Sequence, residues 1–195
     1  SSAASDVYKR QVDRAMFDRQ IYLIMKDFAP VAQKFLKHVA KVNGLEKMTF
    51  ADWKLDLDSA LNPDVTIDDA YDLVMKSVEP LGEEYSREIA RYQTERWVDF
   101  AANEGKDSGG YAADPYRVHP YVLMSWTGRM SDVYTLIHEI GHSGQFIFSD
   151  NNQSYFNAHM STYYVEAPST FNELLLSDYL EPVSYTHLRA HETLS

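Results

Sequence analysis

The chain contains no cysteine, which excludes disulfide staples and any thiolate-held zinc and suits a reducing compartment. Basic residues are not in excess. The formal net charge is −11, a balance that disfavours nucleic acid and anionic membrane as partners. No apolar run approaches the ~18 residues of a membrane-spanning helix. Glycine is sparse, and its one local enrichment (Gly105, Gly109, Gly110) lacks the G-x-x-x-x-G-K-[ST] order of a phosphate-binding loop. Internal repeats and low-complexity stretches are missing as well. These absences agree with the expectation of a soluble, cytoplasmic globular protein, long enough to bury one sizeable core.

What is present is an H-E-x-x-H formed by His138, Glu139 and His142, with Glu166 following 24 residues after the second histidine. On a helix, residues four apart project about 40° apart, one turn up, with Cβ atoms roughly 6 Å from each other. Two imidazoles so placed can converge on one metal ion. Glu139 leans over the same edge, where it can reach a metal-bound water. Zinc then needs one more protein ligand, and Glu166 is the best-placed candidate for a His2Glu site with an open fourth position. Chance does not explain the pattern: residues 12–181 hold 5 His and 11 Glu, so about 0.01 such motifs are expected at random.

The surroundings predict a helix. Ser131 can cap its start, Asp132 favours the first turn, and Val133, Leu136, Ile137 and Ile140 recur at three- and four-residue intervals. It is expected to run to Phe148, with Ser149-Asp150-Asn151-Asn152 as the stop. Gly141 reads either as the close approach of another backbone or as a tolerated helix glycine. Pro168 belongs in a first helical turn, which puts Glu166 at or near the start of a second helix. Glu173, seven residues on, either hydrogen-bonds a ligating imidazole or is plainly solvated.

These residues sit in longer motifs. They are Gly105-Lys106-Asp107-Ser108-Gly109-Gly110-Tyr111, then His119-Pro120-Tyr121-Val122-Leu123-Met124-Ser125-Trp126, then the H-E-x-G-H helix, then Glu166-Ala167-Pro168-Ser169-Thr170-Phe171-Asn172-Glu173. Upstream stand Pro80-Leu81-Gly82-Glu83-Glu84-Tyr85 and Arg96-Trp97-Val98-Asp99. Together they resemble the catalytic core of the oligoendopeptidase F branch of the thimet oligopeptidase (M3) metallopeptidases. The resemblance implies one Zn2+ per chain held by His138, His142 and Glu166, with Glu139 as catalytic base. It implies a mainly α, zincin-like fold with a short strand or hairpin before the metal helix, and hydrolysis of short peptides inside the cell. Gln145 stands where many relatives have a histidine. The resemblance also implies a downstream segment bearing tyrosine and histidine that donates to the tetrahedral intermediate, and nothing after Leu180 matches it. The alternative reading is therefore a zinc-binding helical fragment without catalytic competence, since loss of an oxyanion donor costs about 100- to 1000-fold. An exopeptidase would need an anchor for a substrate terminus, and no such anchor is recognisable.

Residues 1–11 and 182–195 resemble translated adapter sequence and are read as non-native tails, so His187, His191 and Glu192 are not recruited as ligands. Within 12–181, a helix broken at Pro30 and stopped at Gly44 is expected first. An extended segment over 48–57 follows, then a helix opened by Thr66 and Asp69, then another from Pro80 to about Phe100. Residues 103–117 read either as a flap over the cleft, which the resemblance favours, or as an ordinary connector. The strand over 120–126, if it is an exposed edge, would bind an extended peptide by strand addition. His38 reads as a surface or partly packed residue and His119 as structural, and no positional argument places His159.

Overall fold

The computed structural model describes the backbone of residues 13–55 and 63–192, and the side chains of these except at 53, 54 and 182–192. The tail read at 1–11 and part of the 48–57 segment lie outside the described residues. The chain forms two compact units, Ser1–Asn62 and Pro63–Ser195.

In the first unit, α1 (Arg14–Leu23) passes through a π-helical turn (Ile24–Phe28) into α2 (Ala29–Val42). Pro30 stands in the first turn of α2, where its missing N–H and its ring prevent ordinary i→i−4 bonding to the preceding turn. The helix widens just ahead of it instead of stopping. Gly44 takes φ 66° beyond the end of α2, a conformation that glycine adopts without steric cost. The extended segment expected next is a 3-10 helix, Phe50–Lys54. Aromatic residues suggested a strand. However, the Asp52 carboxylate accepts both the Thr49 N–H and its hydroxyl at 2.7 Å, and that local bond closes a turn.

The second unit holds α3 (Ile67–Val78), a 3-10 turn (Glu79–Leu81), α4 (Glu83–Thr94), β1 (Val98–Asp99), β2 (Gly110–Ala113), β3 (Tyr121–Met124), α5 (Met130–Asn152), α6 (Tyr155–Ala158) and α7 (Glu166–Glu192). The fold is mainly helical with a small three-stranded sheet, as expected. Thr66 and Asp69 open α3 as a capping box: the Asp69 N–H donates to Thr66 Oγ1 at 3.1 Å and the Thr66 N–H to Asp69 Oδ2 at 3.3 Å. Contrary to the sequence expectation, α4 ends at Thr94 rather than near Phe100. Arg96 takes φ 57°, turning the chain so that β1 runs parallel to β3 with Val98 opposite Val122.

The sheet order is β1-β3-β2. Tyr121–Met124 is therefore the central strand and not an exposed edge, so the condition for strand addition there is not met. Both its sides are already paired, and β1 and β2 take the edge positions. Four residues of the supposed flap thus form an antiparallel strand, with Tyr111 opposite Leu123. The start of that loop is pinned by Lys106, whose ammonium donates to the carbonyls of Asp99 at 3.0 Å and Ala101 at 2.6 Å.

The core gathers Val74 and Val78 of α3, Ile89 of α4, Trp97, Met124 of β3, Leu176 of α7 and the stripe Val133, Leu136, Ile137 and Ile140 of α5. Burying side chains of this size is worth ~1.5–3 kcal/mol each, which holds α5 rigidly between the sheet and α7. Its start is set by Asp132 rather than by a Ser131 cap. The Asp132 carboxylate accepts the N–H groups of Thr127 at 2.7 Å and Arg129 at 3.1 Å. At the other end, the expected stop instead forms the last turn: Asn152 Nδ2 donates to the Phe148 carbonyl at 2.8 Å, and Asp150 accepts the Arg117 N–H at 2.7 Å.

Candidate metal centre

His138 and His142 project from the middle of α5, one turn apart, with ring centroids 4.9 Å apart and planes at 82°. Glu166 is the first residue of α7, and Pro168 stands in that helix's first turn, where its missing N–H costs nothing. Gly141 brings the two helices together: a Cβ there would lie 2.7 Å from Ser169 Cα and 2.8 Å from the Pro168 carbonyl oxygen. Of the two readings of this glycine, close backbone approach is the one the structure shows.

The three expected ligand residues converge. His138 Nε2 and His142 Nε2 lie 3.2 and 3.3 Å from the same oxygen, Glu166 Oε2, and one ligand atom from each of the three lies within 4.8 Å of the others. A charge-assisted hydrogen bond would be shorter, about 2.7–2.9 Å. Ligand bonds of ~2.0–2.1 Å in tetrahedral geometry give ligand–ligand edges of roughly 3.3 Å. The spacing therefore fits donors arranged around an ion better than donors bonded to each other. Among the described residues, this is the one His/Cys/Asp/Glu group able to hold a metal.

Both imidazoles are prepared for that role. His138 Nδ1 sits 2.6 Å from Glu173 Oε1, so its proton is committed there and the Nε2 lone pair faces Glu166. Glu173 is thus a partner of a candidate ligand, not a solvated bystander. Burial pushes the His142 imidazole pKa below its ordinary value, outweighing the nearby Glu166 carboxylate, which raises it. The neutral, ligating form is favoured.

Glu139 is packed against the sheet, within electrostatic reach of His138 and Glu166. It is 6 % exposed and lies against β2, where a Cβ on Gly110 would sit 3.3 Å from its Cγ. Burial raises its carboxyl pKa; His138 opposes that shift, Glu166 adds to it, and a hydrogen bond from the Ala112 backbone opposes it again. The strand register explains the last contact. Ser125 N–H donates to Gly109 O, so by antiparallel alternation residues 111 and 113 turn their backbone groups toward β3. Gly110 and Ala112 turn theirs outward, along the free edge beside Glu139. These are main-chain groups, and no side-chain pattern in the sequence announces them.

The other described histidines are not among this group. His119 stacks on Trp97 at 5.6 Å, and His38 is exposed. His159 pairs with Asp114 at 3.2 Å. His187 and His191 lie among residues whose side chains are outside the described set.

A helical core presenting two histidines and a carboxylate to one point, with a buried glutamate facing a sheet strand, defines a class of protein with a candidate metal centre. The chain belongs to Peptidase family M3, whose family model matches residues 9–194. It is 31% identical over 180 residues to Oligopeptidase PepF of Bacillus subtilis (strain 168), covering 92% of this chain and 27% of that protein. It is 34% identical over 151 residues to Group B oligopeptidase PepB of Streptococcus agalactiae serotype III (strain NEM316), covering 77% and 25%. The chain thus spans about a quarter of the length of these curated relatives. A crystal structure assigned as an oligoendopeptidase F from Bacillus anthracis str. Ames superposes with a TM-score of 0.75 at 19% identity, over 89% of this chain and 32% of that one. At that identity the likeness is one of fold. No described helix is long and apolar enough to cross a membrane.

Proposed function

We propose that this chain carries the zinc centre of a cytoplasmic endopeptidase acting on short oligopeptides. His138, His142 and Glu166 are the ligands of one Zn2+, and Glu139 is the general base. The observation that carries this reading is the approach of both Nε2 atoms to a single Glu166 oxygen at 3.2 and 3.3 Å, with Glu139 buried against β2 beside them. Family membership and the names of the relatives support it, and the lack of cysteine suits the proposed compartment.

When bound, zinc lowers the pKa of a coordinated water to about 7 and polarises the scissile carbonyl. The chain's own residues supply the rest. The Glu139 carboxylate takes the proton of the attacking water and delivers it to the departing amide nitrogen. Its burial favours the protonated state it must reach in the middle of the reaction. Ala112 N–H holds the carboxylate in place. Gly110 N–H and C=O and Ala112 C=O line the free edge of β2, suited to pairing with an extended substrate main chain. Such recognition reads backbone more than side chains, in keeping with a broad oligopeptide range.

The test is metal analysis together with hydrolysis of an internally quenched peptide. One zinc per chain is expected, lost in His142→Ala. Glu139→Gln should keep the zinc and abolish hydrolysis, and full activity in that variant would remove Glu139 from the mechanism. Zinc binding without turnover in the unaltered chain would favour the alternative, a zinc-binding helical fragment.

A further inference from the structure

We propose that Ser169 is a positioning residue for Glu166: its hydroxyl holds the carboxylate in the ligating orientation before metal arrives. The proposal rests on the zinc reading of the site. Glu166 is a long side chain, 63% exposed at its carboxylate arm, and an exposed glutamate samples many rotamers that must be given up on binding an ion. Besides the two imidazoles, the one described contact to its carboxylate is from Ser169, whose Oγ lies 3.0 Å from Glu166 Oε2.

Ser169 is itself immovable. It is fully buried, and its N and Cα lie beneath Gly141, where a Cβ would come within 3.0 and 2.7 Å of them. Gly141 immediately precedes His142 and follows His138 by three residues. A single residue of α7 therefore touches the backbone between the two histidines and grips the carboxylate that must meet them. The hydroxyl has one proton and two acceptors within 3.0 Å, the Glu166 carboxylate and the Glu166 carbonyl. Donation to the carbonyl alone would be an ordinary back-bond within a helical turn. The carboxylate carries full negative charge and forms the stronger bond.

The two roles separate in a double-mutant cycle read by zinc affinity, with a chromophoric chelator as competitor. Partners of ligating groups typically contribute about 10- to 100-fold to metal affinity. Ser169→Ala is expected to weaken zinc binding within that range in the parent chain. In a Glu166→Ala background it should change affinity less than about twofold, because the carboxylate through which it acts is gone. Far-ultraviolet circular dichroism of the metal-free proteins reports whether the fold is kept. If Ser169→Ala unfolds, Ser169→Gly, which also lacks the hydroxyl and brings no metal-binding atom, is expected to give the same cycle. An affinity unchanged by the substitution, or an equal loss in both backgrounds, overturns the proposal. Absence of zinc binding in the parent overturns the zinc reading itself and is recognised by being independent of residue 169.

Discussion

Replacing Gly141 by alanine sets two effects of known size against each other. Alanine is worth about 1 kcal/mol more than glycine in a helix interior, so propensity alone predicts a more stable protein. The new methyl, however, would stand 2.7 Å from Ser169 Cα, 2.8 Å from the Pro168 carbonyl oxygen and 3.0 Å from Ser169 N. All three are backbone atoms and cannot rotate away. Reaching the ~3.5–4.0 Å of ordinary contact requires roughly 1 Å of separation between α5 and the first turn of α7. Overpacking of this kind costs about 1–3 kcal/mol. The metal-free protein should therefore be unchanged to about 2 kcal/mol less stable, a fall of a few degrees in Tm for a unit of this size.

The zinc site has no such compensation. Glu166 begins the displaced turn, while a metal centre tolerates only about 0.2 Å in ligand distance. Zinc affinity should fall by at least 10-fold. Thermal denaturation with and without zinc, together with chelator competition, measures both effects. Gly144→Ala is the control. There a Cβ would meet the Tyr85 side chain at 2.6 to 2.9 Å, whose hydroxyl accepts from Asn172 rather than from the backbone of the first turn of α7, so stability should drop with a much smaller loss of zinc affinity. If Gly141→Ala raises Tm and keeps zinc affinity, the close approach does not set the site and the reasoning fails.

Other outcomes follow from the same geometry. Glu173→Ala frees His138 Nδ1 from its 2.6 Å partner and should weaken zinc about 10- to 100-fold by competition assay; an unchanged affinity would return Glu173 to a solvated role. Tyr92 is buried, and its hydroxyl has no hydrogen-bond partner among the described residues. Burial raises its pKa well above the usual tyrosine value, so its contribution to stability is complete below the unfolded pKa of ~10 and is lost as pH rises beyond it. Tyr92→Phe should therefore flatten alkaline unfolding above about pH 10. It should also stabilise the protein near neutrality by about 1 kcal/mol, by removing an unsatisfied buried group. Urea unfolding at pH 7 and pH 10.5 checks both, and a steeper alkaline loss in the variant would refute the account.

Features that arise from bonds within one or two helical turns were legible in the amino-acid order. The i, i+4 histidines share a face because of helix geometry alone. Thr66 and Asp69 cap α3 through side chains three residues apart, and Pro168 marks a first turn because proline has no N–H to lose there. The family motifs carried the mainly helical fold. Where two local rules competed, the pattern misled: residues 48–57 look extended, yet the Thr49–Asp52 bonds close a 3-10 turn.

Everything that depends on non-local pairing was decided by tertiary structure. Strands of two and four residues are too short to show a period, and β1 is defined by partners 24 residues away, Val98 opposite Val122. Which strands are edges follows from the sheet order alone, and it moves the candidate peptide-binding edge from β3 to β2. Gly141, Glu173 and Ser169 acquired their contacts only when α7 packed on α5, because an 8–10 Å helix spacing brings together residues remote in sequence. Composition and motif thus determined which chemical groups this protein has at hand. Packing decided which of them meet, since contact across a core depends on how whole elements dock and no local stretch of chain encodes that.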